Sequence, residues 1–173
     1  VWRHDEVGNN QDAKKEVLAL ESSGAFTTPK PERLIQRVLQ LATNPGDLVL
    51  DSFLGSGTTA AVAHKMGRRW IGIEMGDHAL THCLPRLQKV VAGEQGGISA
   101  AVGWGQSKDG QPFDGGGFRL ARLGAPVFGP DGSIDPGVRF ATLAAFVWQQ
   151  ETATAWDAAK GTPGTPYLGT HSV

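Results

Sequence analysis

Along residues 12–91 the spacing of apolar positions changes several times, and each change marks an element. Ala13, Val17 and Leu20 share one face of a short helix predicted over Asp12–Leu20, with Asn10 as its cap. Leu34, Ile35, Val38, Leu39, Leu41 and Ala42 then repeat at helical spacing behind Pro31, which places Glu32, Arg33, Gln36, Arg37 and Gln40 toward water. Asn44-Pro45-Gly46-Asp47 breaks that helix. Leu48-Val49-Leu50 is an unbroken apolar run, read as a strand covered on both faces. Thr59–Met66 reads as a helix whose Ala60, Ala61 and Ala63 let it lie close on a sheet, with His64 and Lys65 in its last turn and Gly67 beyond it. Trp70–Glu74 reads as a second buried strand. A β–α–β unit this short makes the two strands parallel. Asp77 opens another helix with Leu80, Cys83, Leu84, Leu87 and Val91 at core spacing, and Pro85 kinks it or moves its start.

Beyond this stretch the pattern loosens. Glycines are dense from Gly93 to Gly117, which predicts a linker over residues 93–117. Phe118–Leu123 reads as a strand with Arg119 and Arg122 off its apolar positions, and Pro130-Asp131-Gly132 as a turn. Phe140, Leu143, Ala144 and Val147 mark a helix ending near Gln150. Gly161–Pro166 reads as loop, and Tyr167-Leu168 as the start of a strand. The expected division is an α/β domain half over 1–92, a linker over 93–117 and a small α+β region over 118–173.

Composition narrows the classes. At 173 residues with 40% hydrophobic positions, the chain holds one domain, or one with an appendage. A net charge of −1 is no nucleic-acid signature, so any basic surface is local. The single Cys83 excludes an internal disulfide and a cysteine-only zinc site, and the five ungrouped histidines give no reason to expect a metal. With neither a signal peptide nor a membrane-length apolar run, the expected location is cytoplasmic. A chain that opens at Val1 rather than Met reads as a piece of a longer protein.

The candidate chemistry lies at Asp51-Ser52-Phe53-Leu54-Gly55-Ser56-Gly57-Thr58-Thr59. Asp51 closes a strand where open α/β sheets hold their ligands. Gly55 and Gly57 let the backbone turn sharply and approach a ligand, and Thr58 or Thr59 caps the next helix at its positive end. Glu74, at the tip of the second strand, stands where a ribose-hydroxyl acceptor is expected. Lys30 is either solvated or close enough to the turn to meet a carboxylate. Arg33, Arg37, Lys65, Arg68, Arg69 and Arg86 are candidate phosphate contacts, with a solvated face as the simpler fate of each. A Walker A loop fails because Thr58, not Lys, follows Gly57. Gly55-x-Gly57-x-x-Ala60 meets the relaxed dinucleotide fingerprint, and S-adenosylmethionine fits the same turn and acid, so both remain open on spacing.

Asp51–Thr59 resembles the cofactor motif of the amino-methylating DNA methyltransferases, which modify the exocyclic amine of adenine or cytosine. Thr28-Pro29-Lys30-Pro31-Glu32-Arg33-Leu34-Ile35 is similar to the segment preceding that motif in the family's β arrangement, and Arg68–Glu74 to the strand carrying its ribose-binding acid. The resemblance runs from Trp2 to Val91. A looser one, over Gly115–Arg119 and Val138–Thr152, is to the C-terminal part of type III modification subunits, which act on adenine. It implies a partial Rossmann-like methyltransferase sheet that binds S-adenosylmethionine. It implies that Phe53, Gly55 and Gly57 line the cofactor, that Glu74 takes the ribose hydroxyls, and that Thr28 and Lys30 lie near the methionine end. Asp51 then holds the turn or reaches the methionine amine, and Thr58 and Thr59 bond backbone or carboxylate groups.

The family's catalytic tetrapeptide is an Asp, Asn or Ser followed by Pro-Pro and an aromatic residue. No Pro-Pro pair occurs in the chain. The expectation is therefore no catalytic residue here and no DNA methylation by the isolated chain. The implied partners are double-stranded DNA through the parent protein, a restriction subunit and a second copy in a homodimer. The competing readings are a nicotinamide-dependent oxidoreductase fragment and a non-catalytic assembly module.

Overall fold

Two short parallel strands carry the architecture. In a computed structural model, which describes residues 2–20, 26–107, 109–124, 126–157 and 159, β1 (Leu48–Asp51) pairs with β2 (Arg69–Gly72), placing Val49 beside Trp70 and Leu50 beside Ile71. Before them come α1 (His4–Val7), α2 (Asn10–Leu20) and α3 (Glu32–Ala42); α4 (Thr58–Lys65) joins the strands. A π-helical turn over Ala79–Cys83 leads into α5 (Leu84–Val91), followed by α6 (Ser99–Val102) and, later, α7 (Phe140–Thr152). The chain is thus a small α/β protein with a two-stranded parallel sheet.

The local signals act much as their chemistry requires. Pro31 precedes the first residue of α3 with its φ preset at −63°. Thr43 closes that helix, its Oγ1 donating to the Leu39 carbonyl at 2.6 Å. Pro85 sits in the first turn of α5, where a missing N–H costs nothing, and the chain before it widens into the π-helical turn. At α2 the cap is Asn9 rather than Asn10: its Oδ1 accepts from the Gln11 and Asp12 amides.

One core cluster packs Leu39, Val49, Val62, Ala63 and Ile98; another packs Leu54, Ala60, Cys83 and Leu87. Trp70 lies against both. Both clusters lie on the sheet face that carries Val49 and Trp70. The other face carries Leu48, Leu50, Ile71 and Ile73, with Leu50 64% and Ile71 50% exposed. The expectation of strands covered on both faces is therefore corrected. Side chains alternate across a strand, and among the described residues the helices cover one side only.

Residues 93–117, expected to be a linker, lie in the same compact unit as the sheet, which runs to Leu120. Ile98 and Ser99 are buried there. Trp104 Nε1 donates to the Val90 carbonyl at 2.8 Å and its ring meets Phe113. Trp70 Nε1 donates to His64 Nδ1, so His64 Nε2 carries the proton and donates to the Gly115 carbonyl at 2.7 Å. The glycines mark tight turns in packed chain rather than a loose tether. Phe118–Leu123 forms no strand. The second unit, from Ala121 on, holds α7, with Ala144 and Trp148 buried, and an isolated antiparallel bridge between Phe128 and Ile134 across the Pro130-Asp131-Gly132 turn. The expected loop at 161–166 and strand at Tyr167-Leu168 lie outside the described residues.

The largest departure from the polar pattern is inside the first unit. Glu32, expected to face water, is 1% exposed, and so is Arg86. Glu32 Oε2 accepts from Lys65 Nζ at 2.8 Å and from the Ile98 amide at 3.1 Å; Oε1 accepts from Arg86 Nη2 at 2.8 Å. Lys65 also pairs with Glu94 and donates to the Gly96 carbonyl. At Gly97, φ is +55° and a Cβ would collide with the Glu32 carboxylate, so glycine lets the loop close over the charges. Burial opposes the ionisation of Glu32, but Arg86 and Lys65 outweigh it and hold its carboxyl below the usual range. At Glu16, which accepts the Glu32 amide at 3.0 Å, burial prevails and pushes the carboxyl up. Lys65 and Arg86 are therefore internal groups and not phosphate contacts. Arg68 is also tied down, donating to Thr43 and Met66.

Lys65→Met leaves Glu32 and Glu94 buried without their shared cation. It is expected to lower the unfolding free energy by about 3–5 kcal/mol, measured by urea denaturation of the 173-residue chain; a loss below about 1 kcal/mol, the worth of an exposed pair, would contradict the burial.

Candidate functional site

The chain leaves β1 at Asp51, whose Oδ1 accepts the Phe53 amide at 3.0 Å and bends the backbone. Leu54 is buried, and its amide donates to the Ile73 carbonyl at 2.9 Å, so pairing with the second strand continues through the bend. Gly55 and Gly57 then adopt φ of +58° and +80°. A Cβ on Gly57 would lie 3.3 Å from the Cα of Cys83, so both the backbone sign and the space call for glycine. Cys83 itself is buried and donates from Sγ to the Gly55 carbonyl at 3.1 Å.

Glu74 joins the two strand ends. Its Oε2 accepts the Gly55 amide and its Oε1 the Gly76 amide, both at 2.8 Å. These N–H groups, Gly76 first and Gly55 second, hold its carboxyl below the usual range. The result is an ionised carboxylate fixed beside the glycine turn, with lone pairs to spare for further donors. Phe53, 89% exposed, and the fully exposed Met75 stand next to the turn and to Glu74 in the chain.

The helix start differs from expectation. The residue before α4 is Gly57, and no side chain caps it. Thr58 is buried and looks inward: its Oγ1 accepts from Arg86 Nη1 at 2.9 Å and pairs with Ser56 Oγ at 3.1 Å. Neither Thr58 nor Thr59 is the cap, because both already lie inside the helix. The first amides of α4 therefore keep their positive end open at the turn.

Of the expected site residues, Asp51, Phe53, Gly55, Gly57, Thr58, Thr59 and Glu74 fall together on this turn and its borders. Thr28 and Lys30 are exposed, and Lys30 Nζ donates to the Thr28 carbonyl at 3.4 Å. Among the described residues no hydrogen bond or ion pair ties either of them to the turn. Their segment approaches it through Phe26, whose ring edge would meet a Cβ on Gly55 at 3.3 Å. Phe26 also stacks edge-on with His78 and His82, at 5.0 and 5.6 Å between centroids. Sequence reading passed over this cluster; the one available signal was the spacing of His78 and His82 by a helical turn. Arg86, expected as a candidate phosphate contact, instead anchors Ser56 and Thr58 from beneath, a role no local signal shows. A groove of about 450 Å³ lined by Arg68, Arg69, Trp70 and Arg119 lies toward the start of β2, away from the turn.

The glycine turn lies between a strand and an uncapped helix, with an acid clamped to it from the next strand tip, at the carboxyl ends of the strands, where open α/β sheets hold their ligands. Residues 1–83 match the model of the DNA methylase family, and in this part the chain is similar to amino-methylating DNA methyltransferases related to restriction–modification enzymes. The chain is 60% identical over 75 residues to the probable type III restriction-modification enzyme HindVI Mod subunit of Haemophilus influenzae, covering 43% of the chain and 10% of that protein. It is 60% identical over 75 residues to type II methyltransferase M1.MboII of Moraxella bovis, covering 43% of the chain and 27% of the relative. It is 40% identical over 87 residues to DNA adenine methyltransferase YhdJ of Escherichia coli, half of the chain and 30% of that protein. The chain thus spans between a tenth and three tenths of these relatives.

With its folded-state pKa lowered, Glu74 contributes stability in full above the ordinary glutamate value of about 4.5, and that contribution is lost as pH falls through the folded-state value. Glu74→Gln is expected to lower Tm at neutral pH, and the gap to the unmodified chain is expected to narrow as pH drops below about 4.5. Thermal melts across that window check it; a gap independent of pH would contradict the clamp.

Proposed function

We propose that this chain is the S-adenosylmethionine-binding part of a site-specific DNA methyltransferase of a restriction–modification system, with adenine N6 as the favoured target. The observation that carries the reading is the Glu74 clamp, because it sets an ionised acceptor beside a glycine turn within the very residues that match the DNA methylase family. The preference for adenine rests on YhdJ, named a DNA adenine methyltransferase, and on the tail's likeness to type III subunits. The sheet is read as part of a Rossmann-like methyltransferase fold.

The residues present fit such a cofactor. The open amides at the start of α4 and the left-handed glycines suit close backbone approach, and Glu74 keeps acceptor capacity for ribose hydroxyls. Phe53 and Met75 offer apolar surface next to it, Gly55 and Gly57 line it, and Asp51, occupied by the Phe53 amide, holds the turn. Thr58 and Thr59 set the helix start, with Thr58 turned toward Arg86. Thr28 and Lys30 are assigned to the methionine end. When bound, the cofactor supplies a methyl group on a sulfonium, open to attack by a nitrogen. The chain's own residues bind and orient that donor. No Pro-Pro pair occurs among its 173 residues, so holding the target amine falls to other parts of the parent, as does most of the grip on double-stranded DNA. A restriction subunit, a homodimeric partner and a cytoplasmic setting belong to the same proposal. Among the described residues no helix is long and apolar enough to cross a membrane.

Calorimetric titration of the chain with S-adenosylmethionine and with NAD tests the reading. S-adenosylmethionine is expected to bind and NAD not, and Glu74→Ala is expected to weaken binding by about tenfold to a hundredfold through lost charged hydrogen bonds. NAD binding without S-adenosylmethionine binding would reverse the assignment to an oxidoreductase fragment, and binding of neither would favour an assembly module. Methyl transfer to DNA by this chain alone would contradict the division of labour.

A further inference from the structure

We infer that Arg86 is a positioning residue for the methyl-donor site, fixing the glycine turn from beneath and, through Glu32, tying it to the Thr28–Pro31 segment. The inference rests on the reading of the turn as a cofactor site and goes beyond it, since Arg86 is not itself among the residues assigned to the ligand.

The geometry divides the guanidinium between two tasks. Nη1 donates to the Ser56 carbonyl at 3.3 Å and to Thr58 Oγ1 at 2.9 Å, one residue on either side of Gly57. Nη2 donates to Glu32 Oε1 at 2.8 Å, and Glu32 directly follows Pro31. One rigid planar group thus spans the underside of the turn and the start of α3. A lysine cannot copy this, because a point charge does not fix two directions at once. Among the described residues, Nε of Arg86 is buried with no hydrogen-bond partner. A side chain chosen for stability would not leave a buried donor unpaired, and a buried ion pair is a poor source of stability compared with apolar packing. What the arrangement supplies is a fixed position for Ser56 and Thr58, on which the direction of the first amides of α4 depends. Cys83, beside Gly57 and just ahead of the helix that carries Arg86, braces the same turn by contact.

The test pairs Arg86→Lys with Val62→Ala, a buried core truncation in α4 that removes none of the hydrogen-bonding groups of the network. Both are melted and titrated with S-adenosylmethionine as the 173-residue chain. Arg86→Lys is expected to bind about tenfold more weakly, while Val62→Ala loses Tm but keeps its affinity within about twofold. Glu32→Gln, which preserves shape, is expected to weaken binding in the same direction and serves where Arg86→Lys does not fold. Arg86→Lys or Glu32→Gln binding as tightly as the unmodified chain would overturn the inference and leave the cofactor reading standing. A second readout needs no cofactor: amide exchange at Gly55–Thr58 is expected to quicken in Arg86→Lys and not in Val62→Ala. Equal exchange in both overturns the inference even where the unmodified chain binds no S-adenosylmethionine, an outcome that would itself overturn the cofactor reading.

Discussion

Glu32 is the first residue of α3 and would cost nothing in water. Instead its carboxylate is buried between Lys65 at the end of α4 and Arg86 in α5, and it also accepts the amide of Ile98. Four segments far apart in the chain meet on those two oxygens. A carboxylate desolvated in this way is tolerable only while both cations and their hydrogen bonds are in place. Its position therefore fixes the helices relative to one another more sharply than the small apolar clusters around it could. Apolar contacts tolerate sliding; a bifurcated ion pair does not.

The consequence for the site is a turn braced from below and open above. Arg86 and Cys83 hold Ser56, Gly57 and Thr58 from the interior, and Glu74 clamps Gly55 from the neighbouring strand tip. The upper surface keeps the uncapped start of α4 and the exposed ring of Phe53. Such preorganisation is what a binding turn needs, since amides already aimed at a ligand lose little entropy on binding it. The match of residues 1–83 to the DNA methylase family and this geometry both support the proposed methyl-donor site.

The strand–turn–helix at Asp51–Thr59, the parallel second strand, the acid at Glu74 and the role of Pro85 were legible in the sequence because each depends on neighbours a few residues away. Glycine sign, proline φ and strand-end acids are local physics. The charge network was not legible. Glu32 and Arg86 are 54 residues apart, Glu32 and Lys65 33 apart, and each sits at a position that reads as polar and solvated on its own helix. The apolar run of β1 was equally ambiguous, because a strand that is hydrophobic on both faces has the same sequence whether or not the second face is covered. The glycine-rich stretch misled for a related reason: glycine marks both loose chain and chain packed too tightly for a side chain, and at Gly97 it is the second. Whether Thr28 and Lys30 reach a ligand is likewise invisible to spacing, since neither bonds to the turn.

The burial of Glu32 between two cations is the claim on which the rest depends, and a carbon-13 NMR titration of its side-chain carboxyl measures it directly. The expected result is a carboxyl that stays ionised as pH falls through the ordinary glutamate value of about 4.5, titrating only below it. Titration at or above that value would show a carboxyl without its two cations, and would contradict the network that holds the turn.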